Sequence, residues 1–236
     1  MSNDVLSQLK HATTETEKTW IITKPLLQAL PDPIYQAALA AAIPHWFDIE
    51  VLESILDLEM PIAKERYEYL KQLTFTEPFG DLGCTFHDLT RMAILDHLIR
   101  TNEAQFKIYS EHTHQHFQQI KGDQYIVETL YHLLAIDEDE GIEKFKEQMK
   151  AYRRSNKFSA DNNLVRNAKE LVTLGVLSDE SQVEIEHQDY LMGWKYIQAV
   201  KRERTSNKAR EYLTQAIKHL GHSDNVTHYQ TLPPEQ

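Results

Sequence analysis

A mainly α-helical fold carrying one small β-hairpin is what this sequence predicts, and three observations predict it. Apolar residues recur three and four apart along most of the 236 residues, the spacing that lines one face of a helix. Residues able to accept the free amides of a first turn (Asp32, Asp48, Asp88, Asp137, Ser159, Ser178 and Ser206) precede those runs. One stretch breaks the helical rule: Phe75-Thr-Glu-Pro-Phe79, then the turn-forming Gly80-Asp-Leu-Gly83 and the extended Cys84-Thr-Phe86.

Asp32 precedes Pro33, which suits a first helical position, and Ile34, Ala37, Ala38, Ala41 and Ala42 follow on one face. Asp48 opens Val51, Leu52, Ile55 and Leu56. Pro61 opens a helix in which Ile62, Tyr69, Leu70 and Leu73 are expected to face inward. Pro78 cannot donate to a ladder, so the hairpin is an edge or a small two-stranded piece. Asp88 then opens Leu89, Met92, Ala93, Leu95 and Leu98. Three short helices, a hairpin and a further helix follow the order of a winged-helix domain, expected over 24–100 behind an N-terminal helix or extension at 1–23.

After residue 100 the expected helices lengthen and the strands stop. Thr101 or Asn102 can cap Glu103 to Ile120, and Tyr125 to Ile136 carries Ile126, Leu130, Leu133 and Leu134. Asp137 with Glu140 resembles a capping box for a helix to about Arg154. Ser159 opens one to Leu174, stopped by Gly175; Ser178 opens one to about Arg204; Ser206 opens Lys208 to Leu220, with Gly221 as the cap. Antiparallel helices on short loops suggest an irregular array like tetratricopeptide repeats over 101–221. In the last pair, Trp194 and Tyr196 oppose Ala209, Tyr212, Leu213, Ala216 and Ile217, and His187 to Leu220 spans 34 residues, one repeat period. A plain helical bundle is the alternative. Residues 222–236, with Pro233 and Pro234, lack periodicity and are expected to be disordered.

Chemistry is sparse. Twenty-five Lys plus Arg against 36 Asp plus Glu leave a net charge of −11, which argues against nucleic acid as the main partner. The longest apolar run, the seven residues Ala37 to Ile43, is far short of a membrane span. No secretory signal is visible at Met1-Ser-Asn-Asp-Val5, so a cytoplasmic protein is expected. No phosphate-binding loop surrounds any of the seven glycines, and the single cysteine, Cys84, lies in the hairpin as an inert buried thiol. Of His112, His114 and His116, only the first and last share a helix face, and nothing nominates further metal ligands, so solvated side chains are expected. No enzyme, cofactor, metal or small-molecule substrate follows from these residues.

One stretch opposes the overall charge. Lys195, Lys201, Arg202, Arg204, Lys208 and Arg210 face only Glu203, with Tyr190, Trp194 and Tyr196 alongside. A solvated helix end is one account. The other is a partner-binding surface made by Lys201, Arg202, Arg204, Trp194 and Tyr190, since aromatic residues and arginine anchor protein interfaces.

Phe86-His87-Asp88-Leu89-Thr90-Arg91, after the hairpin, resembles the Met-His-Asp motif in the winged-helix domain of STAND signal-transduction ATPases. Leu30-Pro31, the Ala-rich helix and Trp46-Phe47-Asp48 are similar to the start of that domain. Tyr131-His132-Leu133-Leu134 and Asp137-Glu-Asp-Glu140-Gly141 resemble the helical repeats after it. The resemblance implies a winged helix followed by repeats, with His87 as a sensor of a nucleotide β-phosphate and Asp88 more a cap than a ligand. No phosphate- and magnesium-binding domain accompanies the motif in this sequence. His87 would then either sense a nucleotide held by another chain or pack against the hairpin as a core histidine.

The function expected is a non-enzymatic protein–protein interaction module, a regulator or sensor in a STAND-like defence or stress signalling system, whose partner is another protein such as a signalling ATPase or a protease. The alternative is a winged-helix DNA-binding transcriptional regulator. In that mode Ile62 to Leu73 would enter the major groove, but Lys64, Arg66 and Lys71 are offset by Glu65 and Glu68, and the wing offers only Asp81.

Overall fold

The computed structural model describes residues 3–202 and 206–221. They form two compact units, Met1–Ile136 and Asp137–Gln236. The first contains α1 (Asn3–His11), α2 (Glu15–Gln28), α3 (Asp32–Ala41), α4 (Ile49–Leu56), α5 (Met60–Leu70), β1 (Thr76–Pro78), β2 (Cys84–Phe86), α6 (Asp88–Phe117) and α7 (Asp123–Ile136). The second contains α8 (Glu138–Ser155), α9 (Phe158–Thr173), α10 (Asp179–Arg202) and α11 (Ser206–Gly221). The mainly helical class with a small sheet is therefore as expected. Arg204 and the tail at 222–236 lie outside the described residues.

Several helix starts follow directly from their caps. The Asp48 side chain accepts from the Val51 amide at 2.8 Å, and Asp137 Oδ1 accepts from the Glu140 amide at 3.0 Å. Ser178 Oγ likewise accepts from the Ser181 amide at 3.3 Å. Asp88 departs from expectation: it is the first residue of α6, and His87 holds the cap position without a side-chain cap bond. The helices foreseen on either side of residue 100 are one run, Asp88–Phe117, broken at Asn102 (φ −154°, ψ 65°). There Asn102 Oδ1 accepts from the Gln105 amide at 3.2 Å, capping the second half from inside.

In the first unit, α6 is the axis against which α2, α4 and α7 pack. The hairpin pairs Thr76 with Phe86 and Pro78 with Cys84. Phe47, between α3 and α4, adds a bridge on the far side of β2, its amide and carbonyl bonding Cys84 at 2.8 and 2.9 Å. Gly83 makes this possible, since a Cβ there would lie 2.4 Å from the Phe47 carbonyl oxygen, at φ +125°. Phe47, Phe86, Phe106, Phe117 and Tyr131 fill the core. The inward face of α5 differs from the expected one. Ala63 and Leu70 are buried, whereas Ile62 and Tyr69 are exposed, because the helix turns its Ala63–Tyr67–Leu70 edge toward Phe47 and Cys84.

In the second unit, α8, α9 and α10 pack on one another, and α10 with α11 forms its most extensive helix pair. Close approach depends on Gly193, where a Cβ would meet Leu220 Cγ at 2.7 Å. Of the residues expected to line that seam, Ala216 is buried, whereas Leu213 and Ile217 point outward. Tyr212, also expected there, is half-buried against Tyr196, and His219 is the inward residue not foreseen, its ring lying parallel to that of Tyr196.

Candidate functional site

A cleft of about 290 Å³ opens in the second unit. The turn that ends α8 at Asn156, a left-handed residue (φ 56°), delivers Asn156 and Phe158 to one wall. Helix α10 supplies Lys195, Gln198, Ala199 and Arg202, a spacing of three, four and seven that puts all four on one helix face. Tyr212 comes from α11. Phe158 stacks on Tyr196 with ring centroids 4.8 Å apart, and Tyr212 lies 5.6 Å from Phe158. The half-buried aromatic wall thus rests on the buried Tyr196.

The cations are less committed. Among the described residues, Lys195, Lys201 and Arg202 make no hydrogen bond or ion pair, and Lys201 and Arg202 are exposed. Asp161 lies one turn along α9 from Phe158 and is fully buried, with neither carboxylate oxygen hydrogen-bonded. Burial pushes its carboxyl up to about 7, with the nearby Asp189 adding to the rise and Arg153 and Lys195 opposing it. Asp189 is held the other way: burial disfavours its charge, but ion pairs with His219 and Lys169 outweigh that and lower it.

Of the residues singled out in the basic run, Arg202 lines the cleft and Lys201 sits beside it on the helix end. Tyr190 and Trp194 pack edge to face, 6.3 Å apart, and do not line it. Tyr196 is a packing residue, 4% exposed. Lys195 belonged to the recognised run, and its spacing from Gln198, Ala199 and Arg202 was readable. Asn156, Phe158 and Tyr212 were not, because they reach the cleft through tertiary packing of separate helices.

In the first unit, His87 is half-exposed at the start of α6, its Nε2 3.7 Å from the Glu77 carboxylate on β1. It lies beside the hairpin but outside the core, correcting the expectation of a packed core histidine. Arg91, four residues on, is the buried charged member of that motif. It donates to the Pro44 and Ile43 carbonyls at 3.0 Å each and to Tyr131 Oη at 3.4 Å. Glu128, also buried, pairs with His45 Nδ1 at 2.8 Å and accepts from the His45 amide at 3.2 Å. Burial opposes its charge, yet His45 and His132 hold the carboxyl well below the usual range. Burial pushes the fully enclosed His132 down to about 4.

Nor are the alternating histidines of α6 solvated. His112 Nδ1 donates to the Ile55 carbonyl and His114 Nδ1 to the Thr129 carbonyl, each at 2.9 Å, while the His116 ring packs on Phe117. Among the described residues no cluster of three or more His, Cys, Asp or Glu is placed to hold a metal, and no helix is long and apolar enough to cross a membrane. Compared with known protein families, curated proteins and solved structures, the chain matches none.

Proposed function

We propose that the chain is a non-enzymatic protein-interaction module, a cytoplasmic regulator or sensor in a STAND-like signalling system, with partner contact on α10. The observation that carries this is the set Lys195, Lys201 and Arg202, without a hydrogen bond or ion pair among the described residues, beside an aromatic-walled cleft. The charges enclosed in the first unit, by contrast, are compensated within it. A winged helix is supported by the order helix, extended Phe47, two helices and hairpin, with Phe47 beside the second hairpin strand. A tetratricopeptide-like second unit is supported by the tightly packed antiparallel α10–α11 pair. A protein partner is favoured over DNA because Lys71 of the would-be recognition helix already faces Glu68 at 3.6 Å. His87 is exposed enough to meet a nucleotide carried by a partner chain, the one role left for it by the resemblance.

The test is charge reversal of Lys201 and Arg202 to Glu. Helical circular dichroism should be unchanged and stability should move by less than about 0.5 kcal/mol, as for exposed sites. Association with the partner captured from the native host should slow about tenfold at low salt. Unchanged association would put the interface elsewhere.

A further inference from the structure

We infer that the cleft receives an acidic peptide segment in an extended, polyproline-like conformation, with two carboxylates three residues apart meeting Lys195 and Arg202. This rests on the protein-binding function proposed above and names the chemistry of the partner. Lys195 and Arg202 lie seven positions apart on one helix face, which separates them by about 10.5 Å along the axis. A polyproline helix has three residues per turn and rises ~3.1 Å per residue, so acidic residues three apart share a face about 9 Å apart. A β-strand would turn the same two side chains to opposite faces.

The walls suit the residues between. Phe158 and Tyr212 present ring surface, and aromatic-lined grooves are the usual dock for polyproline segments. Asn156 and Gln198 offer amide donors and acceptors to a peptide backbone that has no hydrogen-bond partners of its own. The two rings stand 5.6 Å apart and tilted by 52°, in mutual contact, so they leave no slot for a flat nucleobase. Asp161 on α9, which interacts electrostatically with Lys195, is kept partly protonated by its burial. A protonated Asp161 competes less for Lys195 than an ionised carboxylate would.

The experiment uses the full chain and two labelled peptides of equal composition, one carrying Glu-Pro-Pro-Glu and one with the glutamates adjacent. Binding is followed by fluorescence anisotropy at low and physiological salt. The spaced peptide should bind at least about threefold tighter, and Lys195→Ala and Arg202→Ala should each weaken it about threefold, the scale of a solvent-facing ion pair. Lys195→Gln, which keeps the stem packed, guards against a folding defect and should give the same loss. Lys201→Ala should leave the spacing preference intact.

Equal binding of the two peptides, or competition by tripolyphosphate as effective as by the spaced peptide, would overturn the inference and leave a general anion patch. If the preference is absent while reversal of Lys201 and Arg202 still slows the native partner, the ligand class fails and the protein-binding function stands. If the preference is present but the native partner is indifferent to that reversal, the cleft's ligand class stands and the wider surface fails.

Discussion

Arg91 in the first unit and Asp161 in the second are both enclosed ionisable residues, yet Arg91 donates to three acceptors and the Asp161 carboxyl has no hydrogen-bond partner. Taking a charge out of water is costly unless hydrogen bonds replace the lost hydration. In the first unit the replacement is complete: the guanidinium ties the end of the α3–α4 connection to α6 and α7, and Glu128 does the same through His45. In the second, the carboxyl meets the cost by holding its proton instead. One unit spends its buried charge on fixing backbone. The other leaves cations on α10 free to face outward.

The largest expected effect breaks the first half of that comparison. Arg91→Met removes the guanidinium but leaves the Ile43 and Pro44 carbonyls buried, and should destabilise the first unit by about 3 kcal/mol or more in denaturant unfolding. A change below about 1 kcal/mol would mean that water satisfies those carbonyls.

The next effect tests the other half. Asp161 has a folded-state pKa of about 7, raised above its ordinary 3.8. Between pH 4 and 7 the folded form holds a proton that the unfolded form has released. Its stabilising contribution is therefore present at low pH and lost as pH rises through about 7. Asp161→Asn should raise the melting temperature of the second unit more at pH 8 than at pH 5, the difference amounting to about 2 kcal/mol. Equal effects at both pH values would show the carboxylate to be paired after all.

The smallest effect is shared by both units. Asp48→Ala and Asp137→Ala each remove one side-chain acceptor at a helix start, and each should cost about 1 kcal/mol. Hydrogen exchange should show increased opening in α4 for the first and in α8 for the second.

What was legible in the sequence divides along the same physical line. Local signals were read well: the hairpin with its glycine turn and the caps at Asp48, Asp137 and Ser178 all depend on residues close in the chain. Which face of a short helix points inward was read poorly. In α5, Leu70 is buried as expected, but Ile62 and Tyr69 promised a core face that Ala63 takes, because the partner sheet decides the rotation. The cleft was half legible. Lys195 and Arg202 follow from helix periodicity, but Phe158 and Tyr212 are separated by more than fifty residues and are brought together, with Tyr196 against both, only by packing of separate helices. Arg91 was passed over inside its own motif, because a lone arginine on an apolar helix face gives no sign of the carbonyls awaiting it.

The strand contact between Phe47 and Cys84 has a further consequence, for kinetics. Cys84 is the only cysteine in the chain and is 5% exposed, its sulfur 3.5 Å from Tyr67 Oη, its amide and carbonyl both bonded to Phe47 and its other side facing Pro78 of β1. A thiol sealed in this way reacts with a disulfide reagent only when the sheet opens. With the reagent in excess, the labelling rate becomes a clock for opening of the first unit, written into the native sequence and silent to events in the second.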